Sequence, residues 1–554
     1  MASLKTSLSR MMARLSKPIR LRRLLQLAAS IAIITSAFTF SARQAYGDVT
    51  TPPRQKLIEV EYTQYEWWLA TWAENDVVCQ IYIEHVGPPT HEEIFWFCGS
   101  DISKQWSETE TCPQALEDQG DPTKCEGLYL NLAKVTSGVR EIVIDLPIPS
   151  VWVTLEGCIP IVPENRCDFI PKLRLLGEEP LPNEYIISVH GSIDDIPFHC
   201  ENALCDIPLK PTDSSGIYVY FQADSSLGDS SPVFNARIRV VEAPATQDQS
   251  AGWYIDVLSP QWRGAPIAGC SQVWDTFPPA GGPPEWLSTP EEAESLATEE
   301  PYIYLAGVLI SYGDVNAQDC PNGGLLPTGG ANVCGLDRAL DVAKEWQNQF
   351  DEIILRVARD TSVPAQLMKN LFARESQLWP GIFSNVEEAG LGQLTEFGAD
   401  TTLLWNKSFY DQFCPLVLEA AICENGYPHM IEEEQAMLRG ALYSRVNAQC
   451  EECSMGIDMK KADYSVEVFA ETLLANCAQV SQMIWNTTGN LPRTSTFEDL
   501  WRFTVLNYNA GPGCLADAIE DAWSDDLPLS WENVSLALSP GCAPGINYVN
   551  DISK

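Results

Sequence analysis

The chain has 554 residues, 45% of them hydrophobic, with 18 Cys, 17 Trp, 38 Pro and 35 Gly; 75 Asp and Glu stand against 35 Lys and Arg, a net charge of −40. This length exceeds what one core supports, and at roughly 100–200 residues per domain it implies about three or four domains. The acidity excludes nucleic acid and anionic lipid as general partners, because the long-range field repels phosphate; carboxylates interspersed with Trp and β-branched residues read as a solvated folded surface.

Residues 1–23 carry seven basic side chains and no acid, and Leu24 to Ala42 is uncharged and mainly apolar. With the small residues of Ala45-Tyr46-Gly47 before Asp48, this is the layout of an export signal, residues 1–47. The uncharged run is also close to the ~20 residues that span a bilayer, so a cleaved signal peptide and a signal anchor through residues 24–42 both stay open. Either way the chain is extracytoplasmic, secreted or held at the cell envelope. Cleavage before Asp48 would remove eight basic residues and no acid, leaving a net charge of −48. All 18 cysteines follow that point, from Cys79 to Cys542. In an oxidising compartment they pair, each bridge contributing ~2–4 kcal/mol. The close neighbours Cys158/Cys167 and Cys200/Cys205 suit short loops. Cys450-Glu451-Glu452-Cys453 has the spacing of two zinc ligands, but the compartment and the lack of a second Cys or His pair nearby favour a disulfide. The five histidines are scattered, and neither a zinc-hydrolase motif nor a Ser-His-Asp set is present.

Within a β-rich region, 48–150, Val77 to Val86, Ile94 to Cys98, Gly127 to Ala133 and Arg140 to Leu146 read as short strands. Residues 151–245 repeat the pattern in Leu173/Leu175, Tyr185 to Val189, Ile217 to Phe221 and most clearly Val233 to Val240. There Phe234, Ala236, Ile238 and Val240 alternate with polar residues, predicting one buried and one wet face. The spacing predicts an immunoglobulin-like sandwich. Trp67, Trp68, Trp72, Trp96 and Trp152 offer flat faces for stacking on sugars, although large aromatics more often supply core burial. Residues 246–330 read as a linker region: 278–301 holds six Pro and six Glu, a self-repelling extended composition. Tyr302 to Ser311 is compatible with a strand.

After Cys334 the period becomes helical. Leu340, Ala343, Trp346, Phe350, Ile353/Ile354 and Val357 predict one amphipathic helix over 336–359. A second begins at Thr361-Ser362-Val363-Pro364, where a hydroxyl can cap and Pro can take an early helical position. Further helices are expected at 431–448, 464–485, 497–507 and 513–523. In the second helix Leu367/Met368, Leu371/Phe372 and Leu378 form the apolar stripe. Glu375, four residues after Leu371, points to the same side. A desolvated carboxyl there has a raised pKa, as a general acid requires; an ion-paired or half-exposed Glu is the alternative.

The surrounding residues add a resemblance. Val363-Pro364-Ala365-Gln366-Leu367, Ala373-Arg374-Glu375-Ser376-Gln377, Gly390-Leu391-Gly392-Gln393-Leu394 and Asn507-Tyr508-Asn509-Ala510-Gly511-Pro512-Gly513 come in the order found in soluble-type lytic transglycosylase domains. The set resembles that family over roughly 336–554 and does not touch 48–300. The resemblance implies a mainly α, goose-lysozyme-like domain, 331–554, following all-β modules in a multidomain chain. It implies cleavage of the β-1,4 bond between N-acetylmuramic acid and N-acetylglucosamine in peptidoglycan glycan strands, leaving 1,6-anhydromuramoyl ends. Glu375 would be the acid/base; Gln393, Tyr508, Asn509 and Ser376 would contact substrate or orient the acid, and Tyr548 would hydrogen-bond it. No metal or organic cofactor enters such a mechanism.

The chain departs from the family pattern at Ala389 and Gly392, where Ser and Met are common. It adds Glu387 and Glu388, either of which could serve as a second catalytic carboxylate. It also has a Cys-containing insertion over about 401–463. Two alternatives follow: a muramidase in which water attacks with the same acid, Glu375, and a wall-binding protein without activity.

Overall fold

The structure, a computed structural model, describes residues 54–108, 127–160, 165–246, 250–264, 269–381, 388–490 and 494–554. The apolar run 24–42, Cys112, Cys125 and Glu387 lie outside the described residues. The chain divides into two compact units, one made of residues up to Leu146 with Leu227–Asp229, the other of Pro147–Ser226 with Ser230–Lys554. Among the described residues no helix is long and apolar enough to cross a membrane. Eight disulfides join described cysteines, including Cys158–Cys167, Cys200–Cys205 and Cys450–Cys453. Such a chain belongs to an oxidising environment.

The first unit contains β1 (Gln55–Thr71), β2 (Val77–Ile83), α1 (His91–Cys98), α2 (Ser100–Glu108) and β3 (Leu128–Asp145). The strands pair antiparallel in the order β2-β1-β3. Ile94 to Cys98, expected as a strand, is helical. Thr90 and Glu93 form a reciprocal capping box that satisfies the first amides, and Cys98 is bonded to Cys79 of β2. The two strands expected at 127–133 and 140–146 are one. Gly138 does not turn the chain: it pairs with Tyr62 within a long ladder to β1, and the Tyr62 ring lies where a Cβ would stand. Of the five tryptophans, Trp96 is 80% exposed and the other four are part-buried.

The second unit begins with β4 (Ser150–Glu156), β5 (Arg166–Cys167), β6 (Lys172–Glu178), β7 (Ile186–Ile193), β8 (Ile196–Cys200), β9 (Leu204–Pro208), β10 (Ile217–Ser225), β11 (Phe234–Ala243) and β12 (Gly252–Leu258). These form a sheet β5-β12-β11-β10-β7-β8 and a second, β4-β6-β9, both antiparallel. Val153 and Leu175 from one sheet and Val219, Phe221 and Ile238 from the other share a single core. On β11 the face expected to be wet is covered: Arg237 and Arg239 are buried. Their guanidinium groups sit 5.0 and 4.9 Å from the Phe277 ring centroid, and Arg239 pairs with buried Asp256 at 2.6 Å.

Phe277 comes from the region expected to be a linker, and that expectation fails. Residues 246–330 supply β12, α3 (Gly269–Trp274) and α4 (Ile303–Tyr312), the last in place of the strand considered there. Trp274, Trp286, Leu287 and Leu296 are buried in the helical core; Pro and Glu dominate the composition, but these few apolar anchors decide the packing. Trp274 Nε1 donates to the carbonyl of Cys477 (3.0 Å), whose sulfur is bonded to Cys270.

The helical portion continues with α5 (Val333–Asn348), α6 (Asp351–Thr361), α7 (Ala365–Ser376), α8 (Glu396–Trp405), α9 (Lys407–Phe413), α10 (Ala420–Cys423), α11 (Glu432–Val446), α12 (Met459–Thr488), α13 (Phe497–Ala510), α14 (Pro512–Ser524), α15 (Trp531–Ala537) and α16 (Pro544–Ile552). The single helix expected at 336–359 is broken into α5 and α6. At the break, fully buried Lys369 donates to Gln347 O (2.6 Å), to Asn348 Oδ1 (3.1 Å) and to Asp351. It satisfies the end of α5, while Phe350 and Ile354 carry the apolar stripe through the bend. Residues 396–446 wrap a separate small core braced by Cys414–Cys423.

The Cys270–Cys477 bridge spans 207 residues, so Cys270→Ala with Cys477→Ala is expected to lower unfolding free energy by ~2–5 kcal/mol. Guanidinium titration beside the parent measures this, and a loss below ~1 kcal/mol would mean that the Trp274 packing alone holds the segment.

Candidate active site

Helix α7 presents its charged end to a cavity. Leu367, Met368, Leu371 and Phe372 are fully buried, which fixes the rotation of the helix and turns Glu375 inward. Its first amides are not capped by Thr361. Ala365 N–H donates to Thr289 Oγ1 (3.1 Å) and Gln366 N–H to Ser288 O (3.0 Å), both from the Pro-rich segment. The helix ends immediately after the acid because Gln377 and Leu378 adopt positive φ of 49° and 62°, a conformation costing ~1–2 kcal/mol for each non-glycine residue. Full burial of Leu378, and Trp346 Nε1 donating to its carbonyl (3.0 Å), offset that cost. Gln377 Oε1 in turn accepts from Tyr304 N–H and Leu305 N–H (3.0 and 3.1 Å), satisfying the start of α4.

Glu375, Glu388, Gln393, Asn507, Tyr508 and Asn509 line one cavity of about 170 Å³, with exposed Phe397 on its rim. Burial pushes the Glu375 pKa up to about 7; a hydrogen bond donated by Tyr548 opposes the rise, the charge of Glu388 adds to it and Arg374 opposes it. Tyr548, itself buried on α16, donates to Glu375 Oε1. Burial and the neighbouring Glu375 hold the Tyr508 and Tyr548 hydroxyls well above the usual phenol range, so both are donors near neutrality. A carboxyl that is substantially protonated at pH 7 can give a proton to a bound oxygen and, once ionised, take one back.

Gln393 closes a tight turn. Ala389 and Leu394 exchange backbone hydrogen bonds (3.2 and 2.7 Å), and Gly390 supplies the positive φ of 78°. Gln393 Nε2 donates to Gly390 O (2.7 Å) and Gly381 O (3.2 Å). Tyr508 donates its hydroxyl to Gly392 O, tying α13 to the turn. Gly392 is required by packing: a Cβ there would lie 2.0 Å from the Phe469 ring, which stands edge-on to Tyr508 at 5.3 Å. Ala389 is buried at the base of the turn. Ser376 is not in the cavity; it is fully buried, and its single hydroxyl proton is directed to Leu391 O (2.7 Å), with Phe372 O as a second, longer acceptor (3.2 Å), joining α7 to the turn. Asn509 is exposed at the cavity edge.

Four residues singled out from sequence, Glu375, Gln393, Tyr508 and Asn509, therefore meet at one cavity, with Tyr548 behind the acid and Ser376 outside the lining, joining α7 to the turn. Sequence reasoning missed Asn507, Asn476 and Phe397. Asn507 precedes the motif tyrosine, but nothing in the sequence signals that its amide is buried beside Asn476, 31 residues away on α12. At this site the buried Gln393 Oε1 and Asn507 Oδ1 have no hydrogen-bond partner within the protein. Among the described residues no group of three or more His, Cys, Asp or Glu is placed to hold a metal. No protein-family model matches the chain, and no curated protein matches it in sequence.

The raised pKa of Glu375 means that the fold keeps a proton that the unfolded chain releases. This contribution to stability is full below the usual carboxylate pKa and is lost as pH rises through about 7. Glu375→Gln stays neutral throughout, so it is expected to exceed the parent in stability at pH 8 by at most ~3 kcal/mol, with the gap closing towards pH 5. Urea unfolding at the two pH values tests this, and a gap independent of pH would contradict it. Tyr548→Phe removes a donor to the carboxylate and should raise the Glu375 midpoint further, read by carbon NMR of labelled glutamate. Gly392→Ala should cost ~1–3 kcal/mol by displacing Phe469, measured by thermal unfolding.

Proposed function

We propose that the protein is an exported peptidoglycan lytic transglycosylase that cleaves the β-1,4 bond between N-acetylmuramic acid and N-acetylglucosamine. The observation that carries this reading is one carboxyl with a pKa pushed up to about 7, at a cavity shared with Gln393, Tyr508 and Asn509, in the motif order that resembles the soluble-type family. Glu375 gives its proton to the glycosidic oxygen as the bond to the anomeric carbon breaks. The resulting carboxylate then takes the proton of the muramoyl 6-hydroxyl as that oxygen bonds to the anomeric carbon. No water is consumed, the acid is regenerated and the new end is a 1,6-anhydro ring. An internal nucleophile removes the need for a second carboxylate to activate water. The Gly392 departure from the family pattern is compatible with activity, because Phe469 occupies the space beside it. The two-sheet layer is read as an immunoglobulin-like module that holds the enzyme at the envelope, a reading supported by its two stacked antiparallel sheets.

One observation favours a second reading. Glu388 lines the same cavity and could act as base for a water molecule, making the protein a muramidase with the same acid.

Mass spectrometry of fragments released from purified peptidoglycan by the oxidised protein, beside Glu375→Gln, separates these readings. Anhydromuramoyl ends that disappear in the variant are the expected result. Reducing ends heavier by one water would transfer the reading to hydrolysis, and no release by folded parent would leave a glycan-binding protein.

A further inference from the structure

A second cleft, of about 490 Å³, opens where the β layer meets the helical portion of the same compact unit. Its size is that of a small-molecule site. It is lined by Ser214 from the turn before β10, Arg237 and Arg239 of β11, Asp275 and Phe277, and Glu498 from the first turn of α13. Both arginines are more than nine-tenths buried, at 7% and 6% exposure, yet each commits only part of its guanidinium to the protein. Arg237 Nε donates to Ser215 O (2.8 Å), and its Nη1 donates to Asp275 O and lies 3.3 Å from Asp275 Oδ1. Arg239 Nε and Nη2 donate to Asp256 Oδ2 (2.9 and 2.6 Å), and Nη2 also donates to Pro278 O (2.6 Å). Arg237 Nη2 and Arg239 Nη1 have no acceptor among the described residues. Neither nitrogen is sealed from solvent, so both stay open to the cleft that their side chains line.

The chemistry of the occupant follows from these two nitrogens. A guanidinium only donates and keeps its charge, so the occupant brings acceptors. The two arginines stand two residues apart on one face of β11, a span of ~7 Å, and the Phe277 ring lies against both at 5.0 and 4.9 Å. One carboxylate, accepting with one oxygen from each arginine, covers that span. Water accepts the same bonds singly, without the charge or the fixed pair of oxygens. Charge narrows the class further. Asp256, Asp275 and Glu498 are matched by Arg239, Arg237 and Arg502, so these six charges cancel, in a chain whose net charge is −40. Asp213, in the same turn as Ser214, is tied to Ser215 N–H and Oγ (2.9 and 2.5 Å). A singly charged carboxylate is tolerated by such a wall, whereas phosphate, with up to two charges, needs one that is net positive. We propose that this cleft binds a carboxylate carried on an otherwise uncharged body, bridged between Arg237 Nη2 and Arg239 Nη1. The end of a peptide and an acidic sugar both offer that group. The site is separate from Glu375 and stands whether or not that residue cleaves glycan.

Calorimetric titration of the oxidised full-length protein tests this with two pairs of probes, acetyl-trialanine beside its C-terminal amide and N-acetylmuramic acid beside N-acetylglucosamine. Each pair sets a carboxylate against a neutral counterpart. At least one acid should bind tenfold or more tightly than its counterpart, and which one does so identifies the source. Arg237→Gln should weaken that binding about tenfold. Ser214→Glu, at an exposed position, adds a repelling charge and should weaken it several-fold, whereas Glu498→Gln removes one and should strengthen it. Glu375→Gln should leave it unchanged. Circular dichroism verifies that each variant is folded. Binding of neither acid, equal binding of acid and neutral probe, tighter binding of inorganic phosphate, or a loss in Glu375→Gln in place of Arg237→Gln would each overturn the assignment. The opposite signs expected for Ser214→Glu and Glu498→Gln decide the matter even where Arg237→Gln does not fold, and unchanged affinity in both would overturn it as well.

Discussion

The withdrawal of one carboxyl group from water is the constraint around which the helical portion is organised. Glu375 sits at the last turn of a helix whose apolar face is fully buried, so its part-buried side chain lines a cavity. Burial disfavours the charged form more than the Tyr548 hydrogen bond restores it. The balance places the group where it can both give and receive a proton near neutral pH. Stronger compensation, such as a close arginine pair, would return it to an ordinary ionised carboxylate.

Holding that balance needs pieces far apart in the chain. Ser288 and Thr289 satisfy the start of α7, and Lys369 satisfies the end of α5 at the bend that leads to it. Tyr548 arrives on the C-terminal helix, which Asn370 of α7 bonds through Ile552 O (3.0 Å) and which follows the Cys514–Cys542 bridge. The turn carrying Gln393 is clamped by Ser376 on one side and Tyr508 on the other. Each contact consumes a polar group that would otherwise be buried unpaired, so the same bonds that stabilise the fold also aim the acid.

The strongly acidic composition has a limited role in this arrangement. At the site, Glu388 reinforces the effect of burial on Glu375 while Arg374 opposes it. Two buried charges elsewhere are paired, Arg239 with Asp256 and Lys369 with Asp351. Covering the outer face of β11 with Phe277 makes the β layer and the helical layer parts of one compact unit. The Pro- and Glu-rich stretch is the connector that achieves this.

Several features were legible in the sequence because they depend on local periodicity. The alternation of Ala236, Ile238 and Val240, the helical stripe ending at Glu375, the helices near 431–448, 464–485, 497–507 and 513–523, and the short loops closed by Cys158/Cys167 and Cys200/Cys205 all repeat or resolve within a few residues. Where local pattern and tertiary context disagreed, context decided. Thr90 and Glu93 capped a helix where aromatic residues read as a strand, Lys369 broke a helix whose stripe ran on unbroken, and Trp274 and Phe277 packed a stretch whose composition read as linker. The order of the motifs marked Glu375, Gln393, Tyr508 and Asn509 in the sequence alone. Their convergence on one cavity, the burial of Ser376 outside it and the fixed amide of Asn507 were decided only in three dimensions, because burial and hydrogen-bond orientation depend on partners far away in the chain, 173 residues in the case of Glu375 and Tyr548.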